Sequence, residues 1–141
     1  MYMTLNYIAI LVASVAQFFI GAVWYMPLFG KLWGKIHGFE AHSPEVQKEM
    51  QKKMLPLLVV QFVVTVVTTI VLAIFIAYLP SDWNVYALAG FFWIGFVVPT
   101  QVSAVVFGGT KPEWIVKKTM IMAGGSLLCL EAAATIIKMM M

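Results

Sequence analysis

Four unbroken apolar stretches, each long enough to cross a bilayer as a helix, constrain this chain more than any other feature. They run over residues 5–26, 55–79, 85–107 and 114–137. A helix needs ~20 apolar residues to span ~30 Å of hydrocarbon, and each stretch reaches that length. Membrane strands are excluded by the pattern, because the runs are continuous and show no two-residue alternation. Composition agrees. The chain is 62% hydrophobic and 11% charged, whereas soluble domains sit near ~45–50% and ~25%. The expected fold is all-α and polytopic: one transmembrane domain over residues 1–141, with four transmembrane helices in an antiparallel bundle. The first stretch lacks a basic flank and a small-residue cleavage site, so it is expected to be a span and not a signal peptide.

The connections set the orientation. "PSDWN" (80–84) is a tight turn without lysine, and "GGTKPEW" (108–114) is a short glycine–proline turn. The long loop 27–54 carries Lys31, Lys35, Lys48, Lys52 and Lys53, and Lys111, Lys117 and Lys118 follow the third span. Eight of the nine lysines thus share one side, against Lys138 on the other. The positive-inside rule places both lysine-rich loops in the cytoplasm and both termini outside. Within the long loop, Leu28, Phe29, Leu32, Trp33 and Ile36 fall on one helical face and Lys31 and Lys35 on another, which predicts a short interfacial helix. Gly30, Gly34 and Gly38 recur every four residues as a close-contact stripe. Ser43-Pro44 reads as an N-cap and first helical position. The polar helix that follows runs into the second span, with Pro56 at the join, the position for a kink.

Two segments, "FIGAVWYMPLFGKLWGK" and "GFVVPTQVSAVVFGGTKPEW", resemble the bacterial membrane family catalogued as domain of unknown function 1761. The first carries Gly-x-x-Trp-Tyr-x-Pro with a following Phe-Gly and Trp: Gly21, Trp24, Tyr25, Pro27, Phe29, Gly30 and Trp33. In the second, Gly-Phe-x-x-Pro-Thr comprises Gly95, Phe96, Pro99 and Thr100, followed by Phe107, Lys111, Pro112 and Trp114. The resemblance implies a small four-helix membrane protein over nearly the whole chain and brings no activity with it. The sequence departs from the family pattern in the fourth span. Met120 to Ala123 replace a frequent asparagine, and Glu131 stands near a frequent glycine.

Polar residues inside the spans are the candidate site. Span one has Ala9, Ala13, Gln17 and Gly21 at four-residue steps, and span two has Gln61, Thr65, Thr68 and Thr69 on one face. Gly90, Gln101, Ala104 and Gly108 share a face of span three. Lys117, Gly124, Glu131 and Lys138 share a stripe of span four, with Leu128 and Thr135 between them. The candidate intramembrane polar set is therefore Glu131, Gln17, Gln61, Gln101, Thr65 and Thr135. Such residues either join helices by hydrogen bonds or line a path for a solute or proton. Pro99 adds a freed carbonyl at Gly95.

Glu131 is the most expensive of them, because a carboxylate at the centre of a bilayer costs several kcal/mol. It is expected to face the bundle or a subunit interface. Either Lys138, two turns away on the same stripe, interacts with it through Thr135 or a water, or it donates as a neutral carboxyl to a helix bearing small residues such as Ala89 or Gly90. The second is favoured, since a lysine at the edge gains by reaching water.

No cofactor is implied, and no catalytic residues emerge: there is no nucleophile motif, phosphate loop or zinc signature. His37 and His42 are badly spaced for a metal, Cys129 is alone, and the ten methionines are scattered. The aromatics Trp24, Tyr25, Trp33, Trp83, Tyr86 and Trp114 read as interfacial belts. Nucleic acid is excluded as a partner by the placement of the lysines beside apolar spans. Expected partners are membrane lipid, further copies of the chain through the Ala9/Ala13 and glycine stripes, and a soluble protein at loop 27–54. The functional expectation is an oligomeric membrane scaffold or interaction component, not an enzyme. The alternative is a small-solute or proton-coupled transporter.

Overall fold

The computed structural model describes residues 4–141, and the described chain is helical throughout, with no strand. Helix α1 is Tyr7–Val23 and continues through a π-turn, Trp24–Leu28. The short α2, Gly30–Ile36, and a 3₁₀ turn, Phe39–Ala41, follow in the long loop. Helix α3 is Pro44–Tyr78. The third span comprises α4 (Val85–Phe92), a second π-turn (Trp93–Val97) and α5 (Val98–Phe107). After a 3₁₀ turn, Pro112–Trp114, helix α6 runs over Ile115–Met140. Four of these units are long and apolar enough to cross a membrane: Tyr7–Leu28, Pro44–Tyr78, Val85–Phe107 and Pro112–Met140.

The helix ends follow from local chemistry. Asn6 caps α1, its Oδ1 accepting from the Ala9 amide at 3.0 Å, while its Nδ2 donates to the Met140 carbonyl at 2.8 Å and joins the two ends of the described chain. Ser43 caps α3 with Pro44 in the first turn, as its sequence predicts. At 35 residues and ~1.5 Å per residue, α3 outruns the hydrocarbon, and its lysine-bearing first turns project from it. It is one continuous helix through Pro56.

Both π-turns accompany a proline, Pro27 within the first and Pro99 just after the second. Proline lacks a donor and its ring crowds the carbonyl four residues back. The chain answers by stepping to five-residue bonds: the Phe29 amide donates to Trp24 O at 3.0 Å, and the Val98 amide to Trp93 O. The second π-turn also re-phases the span. In an unbroken helix Val105 would lie roughly 200° round from Val85, yet both are buried. A π-turn absorbs an extra residue, and this brings Gln101 and Val105 back towards α6.

Helix α6 is central and packs against α1, α3 and both halves of the third span. The apolar core gathers at the end of the molecule where the described chain starts and finishes. Ile10 and Ala13 of α1, Leu72, Ala73 and Ile76 of α3, and Val85 and Ala89 of α4 close there on Leu130, Ala133, Ala134 and Ile137 of α6. Towards the lysine-bearing end the spans part. Residues 51–61 of α3 are all exposed, and α5 buries Val105 alone.

Two expected stripes have other uses. Ala9 and Ala13 are buried inside the chain's own core. The glycine stripe is not a helical stripe, because Gly38 is left-handed (φ 69°) and ends the segment. Gly34 faces Phe39 of its own loop, and Gly30 faces the Tyr25 carbonyl. Ala9 and Ala13 are therefore closed to a second copy, while Gly38 borders open space.

Candidate functional site

The six polar residues singled out in the sequence fall into three groups rather than one site. The first joins α1 to α3. Gln17, buried, donates from Nε2 to Thr69 Oγ1 at 2.6 Å and to the Ala13 carbonyl at 3.2 Å. Thr69 Oγ1 in turn donates to the Thr65 carbonyl at 2.7 Å, and Thr65 Oγ1 donates to the Gln61 carbonyl at 2.8 Å. Gln61 is exposed and reaches only Thr65 of its own helix, at 3.4 Å. Thr69 is thus the partner that completes the group, and four-residue spacing from Thr65 already marks it in the sequence.

The second group sits on α6 between Ile121 and Ser126. Gln101 donates from Nε2 to the Met122 carbonyl at 3.3 Å, and its Oε1 lies 3.5 Å from Ser126 Oγ. Two indoles converge on the same turn. Trp24 Nε1 donates to the Ile121 carbonyl and Trp93 Nε1 to the Ala123 carbonyl, each at 2.8 Å. A notch at Gly124-Gly125 admits Trp24: a Cβ on either glycine would come within 2.9 Å or less of its ring. Three consecutive carbonyls of one helix, at 121, 122 and 123, therefore each take a side-chain donor from another span. Both tryptophans begin a π-turn. The belt reading of Trp24 is corrected here: its ring is packed inside the chain, half-buried against α6. Trp93 was not singled out in the sequence. The Gly-Gly pair opposite two mid-span tryptophans is the pattern that would have found both.

Glu131 and Thr135 form the third group, next to α4. Thr135 Oγ1 donates to the Glu131 carbonyl at 2.8 Å and lies 3.5 Å from the Tyr86 hydroxyl. Lys138 places its Nζ over the Tyr86 ring, 5.8 Å from the centroid. Among the described residues the one ion pair is Lys53–Glu49 at 3.8 Å, so Lys138 makes no direct ion pair with Glu131. The favoured hydrogen bond to α4 is not made either. Oε2 of Glu131 is buried and meets no hydrogen-bond partner among the described residues.

Trp24 packs tilted against Phe29 (4.7 Å between centroids) and Tyr25 edge-to-face against Trp33 (4.8 Å), so the first motif folds upon itself where α1 turns into α2. Thr100 Oγ1 donates to the Phe96 carbonyl at 2.6 Å, at the exit of the second π-turn. Gly21 and Gly95 border open space, with nothing near a would-be Cβ. Of the motif residues, Trp24 and Pro27 belong to the π-turn that docks onto α6, and Pro99 follows the second π-turn. The family described as protein of unknown function (DUF1761) matches residues 8–138. The chain belongs to this family. DUF1761 thus covers all four spans and the π-turns that join Trp24 and Trp93 to α6. No curated protein and no solved structure matches the chain.

Proposed function

We propose that this DUF1761 protein is a non-catalytic, oligomeric scaffold of the bacterial cytoplasmic membrane. In this reading the loops 27–54 and 108–114 face the cytoplasm, both termini face outward, and the long loop offers the surface for a soluble partner. The observation that carries it is the use of the polar residues: Gln17, Thr69, Gln101 and Ser126 are spent on bonds that join spans. In lipid such bonds hold helices together, at about 0.6 kcal/mol and up to ~1.7 each. Self-association is supported by the third span, which leaves Phe91, Ile94 and Phe96 exposed. With Ala9 and Ala13 buried within the chain, this outer face is the surface we assign to a second copy.

Native mass spectrometry from mild detergent tests the assembly. Cysteines at Phe91 and Ile94, on a Cys129→Ala background, should cross-link between copies. A monomer mass in every detergent, without cross-links, overturns the oligomer. A second reading, proton-coupled transport, is favoured by the buried, unpartnered Oε2 of Glu131, since intramembrane acids commonly mark proton or solute paths.

A further inference from the structure

At the lysine-bearing end, two loops far apart in sequence close on one cleft of about 310 Å³. One wall is the end of α2 and its exit, from Lys35 to Gly38. Facing it are Gly108 to Lys111, then Trp114 and Lys118 at the start of the fourth span. The turns that shape both walls need glycine: Gly38 and Gly109 are left-handed, at φ 69° and 76°.

The charge in this cleft is one-sided. Lys35, Lys111 and Lys118 line it, and none of the chain's six acidic residues does. No carboxylate lies within 4.0 Å of these lysines among the described residues, where Lys53–Glu49 is the ion pair. Three like charges around one small space repel one another within a Debye length of ~8 Å at physiological salt. An anion between them turns that repulsion into attraction.

Lys118 is held in place rather than free. Its Nζ lies 5.7 Å from the centre of the Trp33 ring and donates to Thr110 Oγ1 at 3.5 Å. Thr110 accepts there, so its own O–H remains to donate into the cleft. His37 is also braced: its ring stacks on Trp33 at 4.5 Å between centroids, and Nδ1 lies 2.8 Å from the Trp33 carbonyl. A carbonyl only accepts, so Nδ1 carries the proton in that bond.

We propose that this cleft binds a phosphate-bearing anion, a phosphate mono- or diester whose oxygens sit among Lys35, Lys111, Lys118 and Thr110. Lysine ammonium groups bind phosphate as point charges, and a hydroxyl donor adds direction. The volume falls at the lower end for small-molecule sites, the size of a headgroup or a small ester. Its position is at the ends of the spans, beside Trp33 and Trp114, where headgroups of anionic lipids lie and where basic pockets between spans hold them. A lipid headgroup and a soluble phosphate ester share this chemistry.

The test uses the full chain in nanodiscs. Phosphatidylglycerol is introduced into phosphatidylcholine discs in one arm. Inorganic phosphate and glycerol phosphate are titrated onto phosphatidylcholine discs in the other. Tryptophan fluorescence reports binding, since Trp114 lines the cleft and Trp33 backs it, and native mass spectrometry reports retained lipid. Saturable binding of phosphatidylglycerol alone supports the site and assigns it to lipid. Saturable binding of phosphate or glycerol phosphate without anionic lipid supports it and assigns it to a soluble ester.

Lys35→Gln, Lys111→Gln and Lys118→Gln should each weaken binding about fivefold, and the triple variant about a hundredfold. Lys48→Gln/Lys52→Gln/Lys53→Gln removes the same charge from α3 outside the cleft and should change binding less than about twofold. Equal losses in the two triple variants would mean diffuse surface attraction and overturn the site, as would absence of saturable binding to every probe. Lys35 and Lys111 are exposed, so that pair of variants carries the test if Lys118→Gln disturbs folding. None of these outcomes depends on oligomeric state.

Discussion

Trp24 fits Gly125 so closely that a methyl group on the glycine would lie 2.8 Å from the indole Cδ1. The same ring donates to the Ile121 carbonyl one turn earlier on α6. Shape and hydrogen bond therefore set a single depth and rotation for α1 against α6, and α1 carries its own π-turn and proline into that contact.

Gly125→Ala should destabilise the protein by about 1–3 kcal/mol, the usual cost of overpacking a fitted contact. Thermal unfolding in mild detergent measures it. Trp24→Leu on the Gly125→Ala background should recover part of the loss, because the two positions touch and their effects cannot add. Simple additivity of the two losses would show that the notch is not a constraint.

Gln17→Leu and Thr69→Val each break the bond joining α1 to α3. A double-mutant cycle should give a coupling of about 0.6 kcal/mol, up to ~1.7. Gln61→Leu, at an exposed position bonded only within its own helix, should leave the midpoint nearly unchanged. If Gln61→Leu proves as costly as Gln17→Leu, the assignment of the polar residues to helix joining fails.

Cysteines at Gln47 and Ser81, introduced with Cys129→Ala, should label from opposite sides of a sealed membrane. Gln47 is expected on the cytoplasmic side, because eight lysines oppose one. Labelling of both from one side would contradict the four-span arrangement, and labelling of Gln47 from outside would reverse it.

Glu131→Gln places an amide donor beside the buried Oε2 position and removes titration. A scaffold should tolerate it, with folding and assembly unchanged. Transport coupled to protons should be lost, as read by pH-gradient collapse in proteoliposomes. A wild-type gradient collapse that Glu131→Gln abolishes would replace the scaffold reading with the transport one.

Much of the architecture was legible along the chain. The third span is expected over 85–107 and is Val85–Phe107, the first and fourth differ by a few residues at their ends, and the second is continuous with the polar helix before it, so that α3 starts at Pro44 and not at 55. Ser43 caps α3 as its position before Pro44 predicts. The candidate site was legible in part. Gln17 and Gln101 do bond across spans, while Glu131 makes no direct ion pair and its Oε2 no hydrogen bond to α4. The stripes at Ala9/Ala13 and Gly30/Gly34/Gly38 were identified as surfaces, but what they face was not written in their spacing.

The sequence by itself determined how many stretches are long and apolar enough to span a membrane and in which connections the lysines gather. These depend on the length and polarity of consecutive residues, which a one-dimensional pattern contains in full. Only the tertiary structure decided that α6 lies at the centre, that Trp24 enters the Gly124-Gly125 notch, and that Lys35, Lys111 and Lys118 share a cleft. Those pairings join residues up to about a hundred positions apart, such as Trp24 and Ile121. Two prolines also re-phase their helices through π-turns, so a face counted at a fixed angle per residue no longer names the neighbour it meets.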